Sequence, residues 1–180
     1  MKVVAIVGMA GAGKSEVARV FEEYGFKKVR FGDVTDAELK NRGLEPKEEN
    51  ERYIREQLRE KHGMAAYAKL NLPRIDSLLK SSDVVVDGLY SWEEYTLLKA
   101  CYGERFSVLA VWSSPATRHA RLTHRAKRPL TLEEAASRDK SEIENSNKGG
   151  PIAMADFTIL NETSLEELKR ETKRVLSALK

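Results

Sequence analysis

Residues 8 to 15 read Gly-Met-Ala-Gly-Ala-Gly-Lys-Ser. This is the spacing G-x-x-x-x-G-K-[ST], with Gly8, Gly13, Lys14 and Ser15 in its fixed places. The pattern suits one kind of chemistry. Glycines let the chain curl until the N–H groups along Gly8, Met9, Ala10, Gly11, Ala12, Gly13, Lys14, Ser15 and Glu16 converge on phosphate oxygens. The start of a helix adds partial positive charge. Lys14 then reaches the β- and γ-phosphates of a nucleoside triphosphate, and the Ser15 hydroxyl can ligate Mg²⁺. A hydrophobic run before the motif and a helical pattern after it supply the setting it requires.

The acidic partner for such a metal is Asp87, which closes the run Val84-Val85-Val86-Asp87 and can hold Mg²⁺ or its water shell. Gly88 follows, where a hydrolytic ATPase commonly carries the Glu that aligns water. The chain also lacks the D-x-x-G of a GTPase, and Asn147-Lys148-Gly149-Gly150 lacks the Asp of a guanine-binding N-K-x-D. Transfer to a bound acceptor is favoured over hydrolysis. Between Arg118 and Arg128 stand five Lys/Arg residues and no acid. Arg118, Arg121 and Arg125 share an arc of roughly 60° on a helix, and Arg128 and Arg138 follow across a Pro129-containing loop. Arginines so placed stabilise charge on a moving phosphoryl group, and a segment that closes over it excludes water. A solvated basic face is the plainer account of any one of them.

Arg52, Arg55 and Arg59 repeat the same spacing beside Ile54 and Leu58. They could hold an anionic acceptor. Glu48, Glu49, Glu51, Glu56 and Glu60 are interspersed, so surface ion pairs explain this face equally well. Asp33 could accept the acceptor hydroxyl's proton, or merely touch a metal-bound water or backbone. Tyr90 and Trp92 could line an acceptor pocket, although packing is the commoner use of such aromatics. His62, His119 and His124 have no metal-ligand spacing with Cys101.

These residues need a scaffold. Lys2–Val7, Lys27–Phe31, Asp83–Asp87, Phe106–Trp112 and Asp156–Leu160 read as buried strands of a parallel sheet. Helical patterns alternate with them, which predicts an α/β fold with helices on both faces. Ser114 with Pro115, Thr131 with Glu134, and Ser164 with Glu167 are helix starts. Pro73 is expected to divide the helical stretch from Met64 to Lys80 in two. Residues 34 to 80 form a helical insertion over the carboxyl ends of the strands, where ligands bind in open α/β sheets. The 180 residues suggest one domain, 41% of them hydrophobic and 33% charged. A net charge of +3 is too balanced to argue for nucleic acid. No stretch reaches the roughly 18 apolar residues of a membrane span, and Val3 to Val7 is too short for a signal peptide's apolar core. Cytoplasmic location, a small-molecule partner, and a monomer or weak homodimer are expected. Cys101, the single cysteine, is expected to be a small buried hydrophobe in a reducing compartment. One glutamine with abundant Glu, Lys and Arg suits a protein that works hot.

Taken in order, the loop, Gly32-Asp33, the helical insertion, Asp87-Gly88, the arginine run and the closing Ala155-Asp156 and Asn161 resemble the P-loop small-molecule kinases. These are the nucleoside monophosphate kinases and dephospho-CoA kinases, and the chain looks most like an archaeal branch of them. The resemblance implies a three-layer P-loop kinase fold of about five parallel strands, with ATP and Mg²⁺ as cofactors. It implies an acceptor insertion at about 34–80 and a lid at about 118–138. RLTHRAKRPLTLEEAASRDK is similar to a short kinase lid. By that match Arg121 lies near the adenine, Arg125 and Arg138 near the transferred phosphates, and Arg128 in the closing lid. ADFTILNETSLEEL is similar to the last strand of dephospho-CoA kinases and sets Asn161 beside the base. Two departures stand out. Adenylate kinases carry arginines where this chain has Asp36 and, after Gly88, the run Leu89-Tyr90-Ser91. The acceptor would be a nucleoside monophosphate or a dephospho-CoA-like alcohol. The rival reading is an ATP-binding regulator without turnover.

Overall fold

The computed structural model describes residues 1–126 and 128–179. Five strands, β1 (Val3–Val7), β2 (Lys27–Arg30), β3 (Val84–Asp87), β4 (Phe106–Trp112) and β5 (Phe157–Leu160), form a single parallel sheet in the order β2-β3-β1-β4-β5. β1 is central because it is apolar on both faces. Val3, Ala5 and Val7 enter one core, Val4 and Ile6 the other, and all five are fully buried. Its register sets Ile6 beside Asp87 on one side and Leu109 on the other. Strand order reverses at β1, so the crevice at its carboxyl end is where a ligand belongs, and residues 8 to 13 occupy it.

Helices α1 (Lys14–Glu23) and α9 (Leu165–Ala178) cover one face. The other face carries α4 (Ala66–Leu78) and α5 (Trp92–Tyr102), with α2 (Asp33–Asn41) and α3 (Glu48–His62) completing the insertion between β2 and β3. The Thr35 and Tyr67 hydroxyls, 2.6 Å apart, pin α2 to α4. The arginine run lies on α6 (Pro115–Thr123) and the loop after it, which leads to α7 (Leu132–Glu144) and the short α8 (Gly149–Ala153). Ser114, Thr131 and Ser164 cap α6, α7 and α9 through their side chains, and Thr131 with Glu134 forms a full capping box. Among the described residues no helix is long and apolar enough to cross a membrane.

Two expectations are overturned. Pro73 does not divide the helix but lies inside α4. It sits on the exposed face, as does Lys69, whose carbonyl loses its helical donor there. Water can satisfy that carbonyl, while Asn71 and Ile75 on the opposite face are buried and hold the helix down. Cys101 is exposed rather than buried. Leu98 and Tyr102, four apart on α5, take the inward positions, and the Tyr102 hydroxyl donates to Asp76 at 2.9 Å. Trp92 stacks on Tyr95 at 5.1 Å and packs against Gly150, which is a packing role.

Since Pro73 costs α4 a hydrogen bond but no core contact, Pro73→Ala should raise stability by about 1 kcal/mol or more. Urea unfolding should show a higher midpoint with an unchanged slope. A lower midpoint would mean that the ring itself is needed.

Candidate active site

The loop from Gly8 to Gly13 owes its shape to close approach. Gly8 has φ 150°, and a β-carbon there would meet the Val111 carbonyl at 2.3 Å. Gly13 has φ 103° and lies against the Asn161 amide. Only glycine fits both the torsions and the space. Lys14 curls over the loop and donates to the carbonyls of Gly8 (2.9 Å) and Met9 (3.0 Å). Burial, with Lys148 as the next cause, pushes its ammonium down to about 8 against the pull of Glu142 and Asp87. Ser15 opens α1 and donates to the Asp87 carboxylate at 3.1 Å. The β1–β3 register sets this pair, because it brings Asp87 alongside Ile6. Hydroxyl and carboxylate, one on each side of the crevice, are hard oxygen donors suited to Mg²⁺.

The arginine run is anchored from below. Buried Arg118 donates to the carbonyls of Ala10 (3.1 Å) and Ser113 (3.1 Å) and forks onto Asp139 at 2.7 and 2.8 Å. One side chain thus ties the loop, α6 and α7 together. Arg121 reaches the Ser113 hydroxyl at 3.1 Å and approaches the Asn161 side-chain oxygen Oδ1 at 3.5 Å. Asn161 turns its amide N–H to the Ala12 carbonyl at 2.9 Å and is buried, so it braces the loop. Arg121, Arg125 and Arg138 line the cleft beside Gly11, Gly13, Lys14 and Ser15. Arg125 also donates to the Arg128 carbonyl, which fixes the turn after α6.

Two residues stand elsewhere than expected. Asp33 pairs with Arg30 (3.1 Å) and Arg74 (2.9 Å), and it lines neither the loop cleft nor the neighbouring cavity. It starts α2, whose first turn faces those two arginines. Arg128, at φ 55°, turns away from the loop and bonds Asp36 (3.3 Å) and Glu51 (2.7 Å) across the insertion.

Beside the loop cleft lies a second cavity of about 220 Å³. Arg52, Arg55 and Arg59 all line it from α3. Arg55 is held by Glu48 (2.6 Å) and Glu51 (3.4 Å), whereas the Arg59 guanidinium lies over the Tyr67 ring at 5.7 Å. From other elements Arg30, Arg138 and Lys148 line it too. Arg138 bonds Glu48 at 2.9 Å and Glu142 at 3.3 Å, and Lys148 bonds Glu142 at 2.7 Å. Burial pushes the Glu142 carboxyl up, but Lys148, Arg138 and Lys14 outweigh it and hold it well below the usual carboxylate range. Arg30, Tyr90, Arg138, Glu142 and Lys148 line both spaces and form their boundary.

Arg30, Glu142 and Lys148 escaped the reading of the sequence, whereas Tyr90 stood in it as a possible acceptor-pocket residue. Asn147-Lys148-Gly149-Gly150 held a usable signal. Asn147 adopts φ 51°, a left-handed turn that asparagine tolerates, and the turn delivers Lys148 inward.

Residues 4–146 match the family model described as an AAA domain. The UPF0200 protein of Thermococcus kodakarensis is 36% identical over 98% of this chain and 97% of its own length. The chain belongs to the UPF0200 family. A UPF0200 protein of Pyrococcus abyssi is 35% identical over 97% of this chain and 95% of its own. Among solved structures, a protein of Thermus thermophilus is similar with TM-score 0.66 at 20% identity, covering 99% of this chain and 98% of that one. Shikimate kinase from Acinetobacter baumannii, solved with shikimate, gives 0.61 at 17% identity, covering 100% and 95%. A gluconokinase from Sinorhizobium meliloti gives 0.62 at 14%, covering 99% and 93%. The likeness shows that this UPF0200 chain has the P-loop kinase fold.

The lowered ammonium of Lys14 in this UPF0200 chain makes a signed prediction. Only the protonated form attracts phosphate, so ATP affinity should fall as pH rises past about 8. Titration calorimetry from pH 7 to 9.5 would show the bend. Lys14→Ala should bind more weakly throughout and show none. A bend that survives the substitution belongs to another group.

Proposed function

We propose that the chain is an ATP-dependent kinase of a small anionic acceptor. The observation that carries this reading is the shared wall. A loop built for a triphosphate and a cation-lined cavity meet along Arg30, Tyr90, Arg138, Glu142 and Lys148. A nucleotide regulator has no use for a second, cation-lined cavity beside the loop. The kinases among the structural neighbours support the reading at the level of fold.

ATP binds with its phosphates against the N–H groups from Gly8 to Ser15, and Arg121 on the donor side. Lys14 leaves the carbonyls of Gly8 and Met9 for phosphate oxygens. Ser15 and Asp87 would hold Mg²⁺, which when bound draws charge from the β- and γ-phosphate oxygens. The acceptor hydroxyl oxygen attacks the γ-phosphorus and the bond to the β,γ-bridging oxygen breaks. ADP leaves with that oxygen, the phosphorylated acceptor forms, and the hydroxyl proton passes to solvent. Little covalent work falls to the protein in such a transfer. Arg125 and Arg138 face the charge that spreads over the moving group. Arg52, Arg55 and Arg59 hold the acceptor.

Transfer of label from γ-labelled ATP to nucleoside monophosphates, dephospho-CoA, hydroxy acids and sugar phosphates tests the reading. Labelled acceptor is expected from at least one class, and Lys14→Ala should lower its formation at least a hundredfold. Label found only in inorganic phosphate would contradict it. With an acceptor in hand, Arg125→Ala should lower kcat tenfold or more and change the acceptor's KM little, as befits charge stabilised mainly in the transition state.

A further inference from the structure

Ser91-Trp92-Glu93-Glu94 has the S-x-x-E spacing of a capping box. The Ser91 hydroxyl accepts from the Glu94 backbone N–H at 3.1 Å and donates to the Met64 carbonyl at 2.9 Å. Glu94 does more than close a helix start. Its side chain is fully buried, and a Glu is almost never so unless it is paired. Oε2 accepts from the backbone N–H of Tyr90 at 2.8 Å. That bond fixes the turn that carries the Tyr90 ring to the boundary between loop cleft and cavity. Oε1 is buried and has no partner among the described residues. Capping requires neither the depth nor the bare oxygen.

The complementary orphan is close by. Among the described residues, Arg59 Nε is the one buried side-chain donor without an acceptor. Both side chains pack on Tyr67. The Arg59 guanidinium lies over its ring at 5.7 Å, and its backbone N–H faces the Glu94 carboxyl. Resting on the reading of the cavity as an acceptor site, we propose that Glu94 is a positioning residue and that the proton on its carboxyl decides where Arg59 points. Without the proton, Oε1 draws the Arg59 Nε–H to itself and holds the guanidinium inward. With the proton, Oε1 is a neutral hydroxyl and Arg59 stays over Tyr67, where it lines the cavity. The structure has this second arrangement, since the two atoms are unpaired. The groups that face Glu94 are Arg59 from α3, Tyr67 from α4, Tyr90 from the turn before α5 and Lys148 from the turn before α8. Burial pushes the Glu94 carboxyl up to about 7 and outweighs the Tyr90 N–H, Arg59, the Tyr67 N–H and Lys148, which all favour the charged form. The exchange therefore falls near neutral pH. An anion in the cavity is held more tightly below that point than above it.

The test is an NMR titration of the whole chain from pH 5 to 9 that follows the assigned Glu94 carboxyl carbon and the Arg59 Nε–H. Both signals should move with one midpoint close to 7. In Glu94→Gln, which keeps an acceptor for the Tyr90 N–H and cannot ionise, the Arg59 signal should stay still. Sulfate then reports on the cavity, because its charge is constant over this range. ADP and Mg²⁺ are kept saturating so that the loop is filled. Calorimetry should show sulfate bound about tenfold more weakly at pH 8 than at pH 6, as the competent fraction falls. Glu94→Gln should bind it at the pH 6 strength throughout. An Arg59 signal that stays still while Glu94 titrates would overturn the proposal. So would a Glu94 midpoint in the ordinary carboxylate range, or a sulfate bend that survives the substitution. If the two signals move together but sulfate binds at no pH, the positioning by Glu94 stands and the reading of the cavity as an anion site falls.

Discussion

The active region depends on one alternating chain of charges. It runs Arg30–Asp36–Arg128–Glu51–Arg55–Glu48–Arg138–Glu142–Lys148, with successive pairs between 2.6 and 3.4 Å. Every carboxylate in it is held by two cations, and both ends are cations. The chain begins at the end of β2, crosses α2, the loop after α6, α3 and α7, and ends before α8. It therefore outlines the cavity, and its first and last members stand on the boundary with the phosphate loop. Each buried charge is tolerable only because its neighbours are opposite. Removing an inner link would halve the pairing of its two neighbours, which makes the network a constraint on every element it crosses.

The pairs differ in what surrounds them. At one end Arg30, Asp36 and Arg128 are 36–39% exposed. At the other Arg138 is 19% exposed, Glu48 9% and Lys148 1%. Exposed pairs contribute at most about 1 kcal/mol and weaken with salt. Buried pairs are screened far less. The arginine loop is thus clasped to the insertion by soft links through Arg128, while α7 is fixed to α3 by firm links through Arg138. Ala135 is the residue of α7 that is buried as apolar surface, so charge rather than apolar packing decides how α7 meets the insertion.

The sheet and the phosphate loop were legible because each rests on a local signal. Five apolar runs, the spacing from Gly8 to Ser15, and the caps at Ser114, Thr131 and Ser164 are all written in consecutive residues. Pro73 misled because a proline breaks a helix only where the lost hydrogen bond cannot reach water, and sequence alone does not show which face is wet. Cys101 misled for the same reason, since Leu98 and Tyr102 took the inward positions. The face proposed for the acceptor was half legible. The spacing of Arg52, Arg55 and Arg59 marked a face, but the acids between them pointed equally to surface pairing. The structure shows both at once, with Glu48 and Glu51 holding Arg55 while all three arginines line the cavity. Lys148 was invisible because its meaning is its distance from Glu142 and Tyr90, residues six and fifty-eight positions away in the chain.

That excess of cation over carboxylate explains how one site could both wait and act. Glu48, Glu51 and Glu142 already neutralise part of the charge on Arg55 and Arg138. They are fixed to α3 and α7, so they cannot leave. On the proposed kinase reading, a ligand's anionic groups do not replace them but fill the guanidinium edges that they leave over. The effect is greatest at the shared wall, where Lys148, Arg138 and Lys14 press the Glu142 carboxyl far down, and where burial, Lys148 and Arg138 lower the Lys14 ammonium. Concentrated positive charge there is costly, and an anion such as phosphate would relieve it. The relief is largest for the species with the most negative charge at that wall, which in a phosphoryl transfer is the group in flight between donor and acceptor.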